Sequence, residues 1–212
     1  WMVRAGRHGE VEDLAFDKSV VAISWPRLAD LSQVGTRDQL LTLCLEAHPD
    51  EKRNTVLNWV SQLWAFVKRI QVGDLVCLPL KRRAAIAVGR ITGPYQYRPD
   101  FQEWQHTRPV EWLNPDVPRS AFGQDLLYSL GALLTVCEVR RNNAEARVQA
   151  ILQTGRDPGV TLGSITEDQE EGLPADLEAY ARDQIVAHIG SRYKGHELAR
   201  LVAALLQADG FR

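Results

Sequence analysis

The chain predicts an α+β fold: a mixed, barrel-like β-sheet with flanking helices, then a linker, then a helical segment at the far end. Three observations predict it. Two segments before residue 71 space their apolar residues by three and four, the helical period. From Leu75 onward the period shortens, and β-branched runs are divided by glycines, prolines and one basic turn. About five or six such strands, interrupted by two early helices and without a βαβ rhythm, point to a curved sheet.

Taken in order, Trp1 to Ala5 is a short apolar run closed by Gly6 and Gly9, a strand entering a loop. Residues 11–18 are too polar to assign. Ser19 to Trp25 is β-branched and stopped by Pro26, the clearest strand of the early chain. Thr36 is a good N-cap for a helix carrying Leu40, Leu41, Leu43 and Leu45 and ending before Pro49. A second helix carries Val56, Leu57, Val60, Leu63, Trp64, Val67 and Ile70 and ends at Gly73 and Asp74. Leu75 to Pro79 and Ala84 to Thr92 are strands joined by the basic turn Leu80, Lys81, Arg82 and Arg83. Gly93 and Pro94 interrupt, Tyr95 to Tyr97 restores alternation, and Thr107 to Leu113 is a further strand bounded by Pro115 and Pro118. Residues 121–131 fit one helical turn ending at Gly131, and Val136 to Gln153, charged and alanine-rich, fits a helix. Thr154 to Pro174 combines glycines, prolines and the acidic run Glu167 to Glu171 with no apolar period. The chain therefore divides into a domain at 1–153, a linker at 154–174 and a helical segment at 175–212.

Composition narrows the function. A hydrophobic fraction of 45% with six tryptophans argues against disorder. A net charge of −2 excludes a uniformly basic protein, so any nucleic-acid surface has to be a local patch. Cations do cluster, in Arg4, Arg7 and His8 and again in Lys81, Arg82 and Arg83. Cys44, Cys77 and Cys137 lack metal-ligand spacing and sit in apolar runs, the pattern of buried free thiols in a reducing cytoplasm. With no run of about 18 apolar residues and no signal peptide, a cytoplasmic protein without a membrane partner is expected.

Hydrolytic chemistry finds little support. The sequence has no Ser-His-Asp order, H-E-x-x-H, Walker loop or Cys-x-x-Cys, and the Arg4 to Gly9 loop lacks G-x-G-x-x-G. No catalytic residue and no metal site are expected in this chain.

Five motifs give a better constellation: Trp1-Met-Val-Arg-Ala-Gly-Arg, Val20-Val-Ala-Ile-Ser-Trp25, Val72-Gly-Asp-Leu-Val76, Ile86-Ala-Val-Gly-Arg-Ile-Thr-Gly-Pro-Tyr-Gln-Tyr97 and His106-Thr-Arg-Pro-Val-Glu-Trp112. Their order resembles EVE-like domains of the PUA-like superfamily, which includes YTH and ASCH domains. Near the far end, Gly195-His-Glu-Leu-Ala-Arg-Leu-Val-Ala-Ala-Leu-Leu-Gln-Ala-Asp-Gly-Phe211 carries Leu198, Leu201, Val202, Leu205 and Leu206 on one stripe. It resembles the opening helix of the Mrr-type restriction endonuclease domain, to which EVE-like domains occur fused. The resemblance implies a PUA-like front domain and the start of a restriction-endonuclease-like domain. In that family the metal-binding Asp and Glu-x-Lys lie on strands after the glycine matched by Gly210, so the chain is expected to be the front of a longer protein. On this reading the chain itself needs no cofactor, and a divalent metal such as Mg belongs to the nuclease core beyond it.

In YTH and EVE relatives a modified base sits in an aromatic pocket. The matching positions are Trp25 with Ser24 beside it, Tyr95 and Tyr97 in the loop after the Gly-Arg-Ile strand, and Trp104 as a further candidate. Polar contacts fall on Arg4, Arg7 and His8, where YTH readers use Asn. Lys81, Arg82, Arg83 and Arg98, in loops at strand ends, are the expected phosphate contacts. The implied function is the DNA-recognition part of a modification-dependent Mrr-like restriction endonuclease that flips a modified base, with a 5-substituted cytosine expected. Its partner is double-stranded DNA carrying that base, and a homodimer through the nuclease domain is also implied. Flipping costs a few kcal/mol, and stacking returns about 1–3 kcal/mol per base, so two aromatic walls offset it.

Two other readings fit the same residues. In one, the front domain senses RNA or a nucleotide ligand and gates the fused nuclease. In the other it is a protein-interaction module, and Trp25, Tyr95 and Tyr97 are all core.

Overall fold

The computed structural model describes residues 1–159 and 177–210. It is a mixed α+β structure built on an open seven-stranded sheet. The strands are β1 Met2–Val3, β2 Val20–Ile23, β3 Leu75–Pro79, β4 Ala85–Ile91, β5 Gln96–Tyr97, β6 His106–Pro118 and β7 Val136–Cys137. Hydrogen-bonded neighbours run β2-β6-β4-β3-β1-β7, and β5 branches from β6. The ladders are antiparallel except the one between β1 and β3.

The 13-residue β6 is the spine of the sheet. Its first residues pair with β2, from His106 opposite Ile23 to Pro109 opposite Val20, and its remainder pairs with β4, from Val110 opposite Ile91 to Pro118 opposite Ala85. The β4 ladder slips between Ile86 and Val88, whose partners are Val117 and Asn114. Pro115 falls in that bulge, where no N–H is asked of it, so the strand runs through a proline expected to bound it. The sheet curls enough to bring β1 near β2, yet no ladder among the described residues closes it into a barrel.

Helices α1 Glu12–Asp17, α2 Arg37–Ala47 and α3 Arg53–Trp64 precede β3; α4 Gln124–Leu130 and α5 Ala144–Thr154 flank β7; α6 Leu177–Arg192 and α7 His196–Ala208 follow. Helix α2 starts on a reciprocal cap: Gln39 N–H donates to Thr36 Oγ1 and Thr36 N–H to Gln39 Oε1, both at 3.2 Å. Helix α3 widens into a π-helical stretch, Ala65–Arg69, and buried Arg108 takes up its loosened carbonyls, donating to Phe66 O at 2.6 Å and Val67 O at 3.0 Å. Burial lowers the Arg108 pKa to about 10, with nearby Asp74 opposing the shift.

Alternation on β2 divides the core. Val21 and Ile23 face α2 and α3, packing with Leu40, Leu63 and Phe66, whereas Val20 and Ala22 face Ala5, Leu78, Ala87 and Phe101 inside the curl. A further cluster, with Met2, Ile86, Leu126 and Ile151, lies against α4 and α5. Arg147, its side chain 4% exposed, ties these helices together by donating to Asp125 Oδ2 and Asp157 Oδ2, each at 2.6 Å.

Two further expectations change, and a third falls largely outside the described residues. Residues 11–18 contain α1. The helix expected from Val136 begins only at Ala144, because Val136 and Cys137 pair with Val3 and Met2 and left-handed Asn142 and Asn143 intervene (φ 52° and 55°). The linker expected at 154–174 lies outside the described residues from 160 onward, and with it the acidic run; Phe211 and Arg212 lie outside as well. No helix among the described residues is long and apolar enough to cross a membrane.

Candidate nucleic-acid interface

Topology decides which loops meet. Because β1 and β3 are parallel, the Arg4 to Gly9 loop and the Leu80 to Arg83 turn leave the sheet at one end. There β4 begins and β6 finishes, with Ala85 opposite Pro118, which adds Arg119. The loop entering β7 arrives at that end too, and Arg4 N–H donates to Thr135 O at 2.9 Å. These segments enclose a cleft of about 450 Å³ lined by Arg4, Arg7, His8, Lys81, Arg83 and Arg119, with Leu130 and Leu133 among its apolar residues and Glu178 and Arg182 contributed by α6. Among the described residues lining it are six Arg or Lys side chains and one carboxylate, with Arg83 paired to Asp116 and Arg182 to Glu178, so cations are concentrated here in a chain of net charge −2.

The turn presenting Lys81 is fixed from below. Buried Glu12 accepts the Lys81 N–H at 2.7 Å and the Arg82 N–H at 3.3 Å. Gly9 lies over this carboxylate at φ +83°, where a Cβ would come within 2.4 Å of Glu12 Oε1. Gly6 has the same φ, and a Cβ there would meet Trp104 Cη2 at 3.1 Å, so the Trp104 ring lies against the loop that carries Arg7 and His8.

Of the expected phosphate contacts, Lys81 and Arg83 line the cleft. Arg83 is steadied by donating to Pro115 O at 3.2 Å and pairing with Asp116 at 3.2 Å. Arg82 turns to Asp13 at 2.7 Å, and Arg98 pairs with Asp100 at 2.8 Å while lying over Phe101; neither is among the cleft's lining residues. Arg119 joins the cleft instead.

The aromatic residues are divided between two faces. Trp25, 9% exposed, packs in the core under α2 and α3, and Tyr95 packs against the same cluster. Tyr95 Oη accepts the Leu31 N–H at 3.2 Å and lies 2.8 Å from His106 Nδ1, while Tyr97 donates to Gln105 Oε1 at 3.0 Å. Burial pushes the Tyr95 pKa up to about 12 and moves His106 below its ordinary value. Alternation assigns half-buried Ser24 to the opposite face, that of Val20 and Ala22, where Trp104 packs. Trp104 is thus the expected pocket aromatic that the structure brings to the cationic loops.

Sequence reasoning missed fully buried His106, which touches the rings of both tyrosines, and Leu133, exposed in the cleft. An alternating strand gives no sign of the first, and a loop without period gives none of the second. A second cleft of about 570 Å³ lies on the other side of Leu130, lined by Trp1, Arg69, Glu138 and Arg140 among others. Its two arginines, Arg69 and Arg140, both pair with Glu138, and Asp74 and Glu145 line it as well, so cations do not predominate there. Cys44, Cys77 and Cys137 are free and buried, and burial raises the Cys44 and Cys77 thiols to about 11. Among the described residues no group of three His, Cys, Asp or Glu side chains is placed to hold a metal ion.

No curated protein and no solved structure matches the chain. Residues 1–125, from β1 to the start of α4, match the family described as a domain of unknown function (DUF8426). As that match takes in more than half of its 212 residues, the chain belongs to the DUF8426 family.

Proposed function

We propose that residues 1–153 form a PUA-like, EVE-type reader that binds double-stranded DNA and flips a modified base, a 5-substituted cytosine, as the recognition part of a modification-dependent Mrr-like restriction endonuclease acting in the cytoplasm. The observation that carries this reading is the cleft, in which cations from segments as far apart as Arg4, Lys81 and Arg119 converge. A phosphodiester backbone is the polyanion that such a concave cluster suits, because each neutralised phosphate releases counterions. Base recognition falls to Trp104, which lies against the same loop and offers stacking of about 1–3 kcal/mol. Ser24 supplies a polar group on the Trp104 face, whereas Trp25 and Tyr95, packed under α2 and α3, support the sheet from its other face.

On the same reading α6 and α7 open the nuclease domain. The exposed stripe of Leu198, Val202, Leu205 and Leu206 supports this, being a face that a cleavage core would cover. On this reading the divalent metal that hydrolysis needs is assigned to that core.

A binding panel at fixed salt tests the proposal: one duplex sequence with unmodified cytosine, 5-methylcytosine, 5-hydroxymethylcytosine or N6-methyladenine, and the corresponding RNA. Tighter binding to a 5-substituted cytosine duplex than to the others is expected. Preference for RNA, or no binding to any of them, contradicts the reading.

A further inference from the structure

Leu133 stands 50% exposed in the cationic cleft, whereas the other leucines lining it, Leu80 and Leu130, are 4% and 2% exposed. An aliphatic side chain set among Arg4, Arg7, Lys81 and Arg119 contributes nothing to holding a phosphate. Its neighbour Leu134 packs on the core beside α4, so the loop has an inward leucine and an outward one. The loop is also held firmly at both ends. Gly131 N–H donates to Leu127 O at 2.9 Å, Thr135 N–H donates to Gln62 Oε1 at 2.7 Å, and Thr135 O accepts from Arg4. Gln62 itself is 7% exposed, so the anchor lies inside the fold.

A rigid loop presenting one apolar tip between phosphate-binding cations has the chemistry of a wedge. Once cations grip the backbone, the tip has stacked bases as its nearest apolar surface. An aliphatic group entering a base step offsets part of the unstacking cost and fills the space that an extruded nucleotide leaves. We infer that Leu133 is an intercalating wedge that holds the duplex open at the flipped base. This inference rests on the base-flipping reading given above.

The test uses the full chain and a duplex carrying 2-aminopurine next to 5-methylcytosine, with fluorescence reporting unstacking. Wild type is expected to raise the fluorescence. Leu133→Ala, a change at an exposed position whose melting temperature should match wild type, is expected to lose most of that gain and about tenfold in affinity for the modified duplex. The affinity should return when the 5-methylcytosine faces an abasic site, where no pair has to be broken. Leu133→Phe should keep the gain. A full fluorescence gain with Leu133→Ala, or an equal loss of affinity on unmodified, modified and abasic duplexes, overturns the wedge alone. Absence of any gain with wild type overturns the flipping reading, and the wedge falls with it.

Discussion

The Glu12 carboxylate accepts the Lys81 N–H across 69 residues of sequence, at 2.7 Å, from inside the fold. The first helix thereby sets the height of the turn that carries the cleft's cations. A charge-assisted hydrogen bond of this kind contributes about 1.5–3 kcal/mol. Glu12→Ala should lower stability by about that amount and weaken DNA binding, although it removes a negative charge beside the cleft and none of the cleft's cations. Chemical denaturation together with a DNA titration checks this. Unchanged binding by a folded Glu12→Ala protein would show that the turn holds its position unaided.

Trp104 and Trp25 should separate cleanly. Trp104→Ala is expected to lower affinity for the modified duplex by about tenfold while leaving the unmodified duplex within about twofold, the loss of one stacking face. Trp25→Ala empties a core site instead and should cost about 3–5 kcal/mol of stability. Melting curves and binding isotherms of the two variants, measured side by side, decide the assignment. A selective loss of modified-base binding in a stable Trp25→Ala protein would move the pocket to the other face of the sheet.

The Tyr95 and His106 pair makes stability depend on pH. Burial holds the His106 pKa in the folded protein below its ordinary value of about 6.5. The unfolded chain therefore takes up this proton first as pH falls. The contribution is complete above about pH 6.5 and is lost progressively below it. Melting temperature should fall between pH 7 and pH 5, and His106→Gln should flatten that part of the profile. Tyr95→Phe, which leaves the Leu31 N–H without its acceptor, should cost about 1–3 kcal/mol.

The Arg147 clasp gives a second acid-sensitive term at lower pH. Its guanidinium holds the Asp125 pKa near about 2, and although burial alone would raise Asp157, Arg147 and two backbone N–H groups bring it below the ordinary range. Both carboxylates contribute fully above about pH 4, and the contribution disappears as pH falls toward the lowered values. Arg147→Ala leaves Asp157 buried without its partner and should cost about 3–5 kcal/mol, read by urea denaturation at pH 7.

Local signals were legible in the sequence and distant pairings were not. The Thr36 cap, the helical stripe through Val60 and Leu63, and the β3 to β4 hairpin with its basic turn all act within a few residues, so local sequence exposes them. Strand β7 has two residues and owes its state to Met2 and Val3 at the other end of the domain, and nothing near Val136 announces that. The cationic residues were legible as two clusters, but their union depended on the parallel pairing of β1 with β3. The division of Trp25 from Trp104 followed from the parity of β2, which places Ile23 and Val20 on opposite faces. The separation of Arg82 and Arg98 from the cleft's cations was not legible, because a cation at a strand end takes whichever carboxylate is nearest, here Asp13 and Asp100.

The salt dependence of duplex DNA binding tests the cleft most directly. For wild type, the logarithm of the association constant should fall linearly with the logarithm of salt concentration, and the doubly substituted Arg7→Ala, Lys81→Ala protein should show a slope shallower by about 1.8, from about 0.9 per phosphate contact. Arg82→Ala and Arg98→Ala, outside the cleft lining, should leave the slope close to wild type. A wild-type slope retained by the doubly substituted protein, or lost equally in Arg82→Ala and Arg98→Ala, would contradict the account.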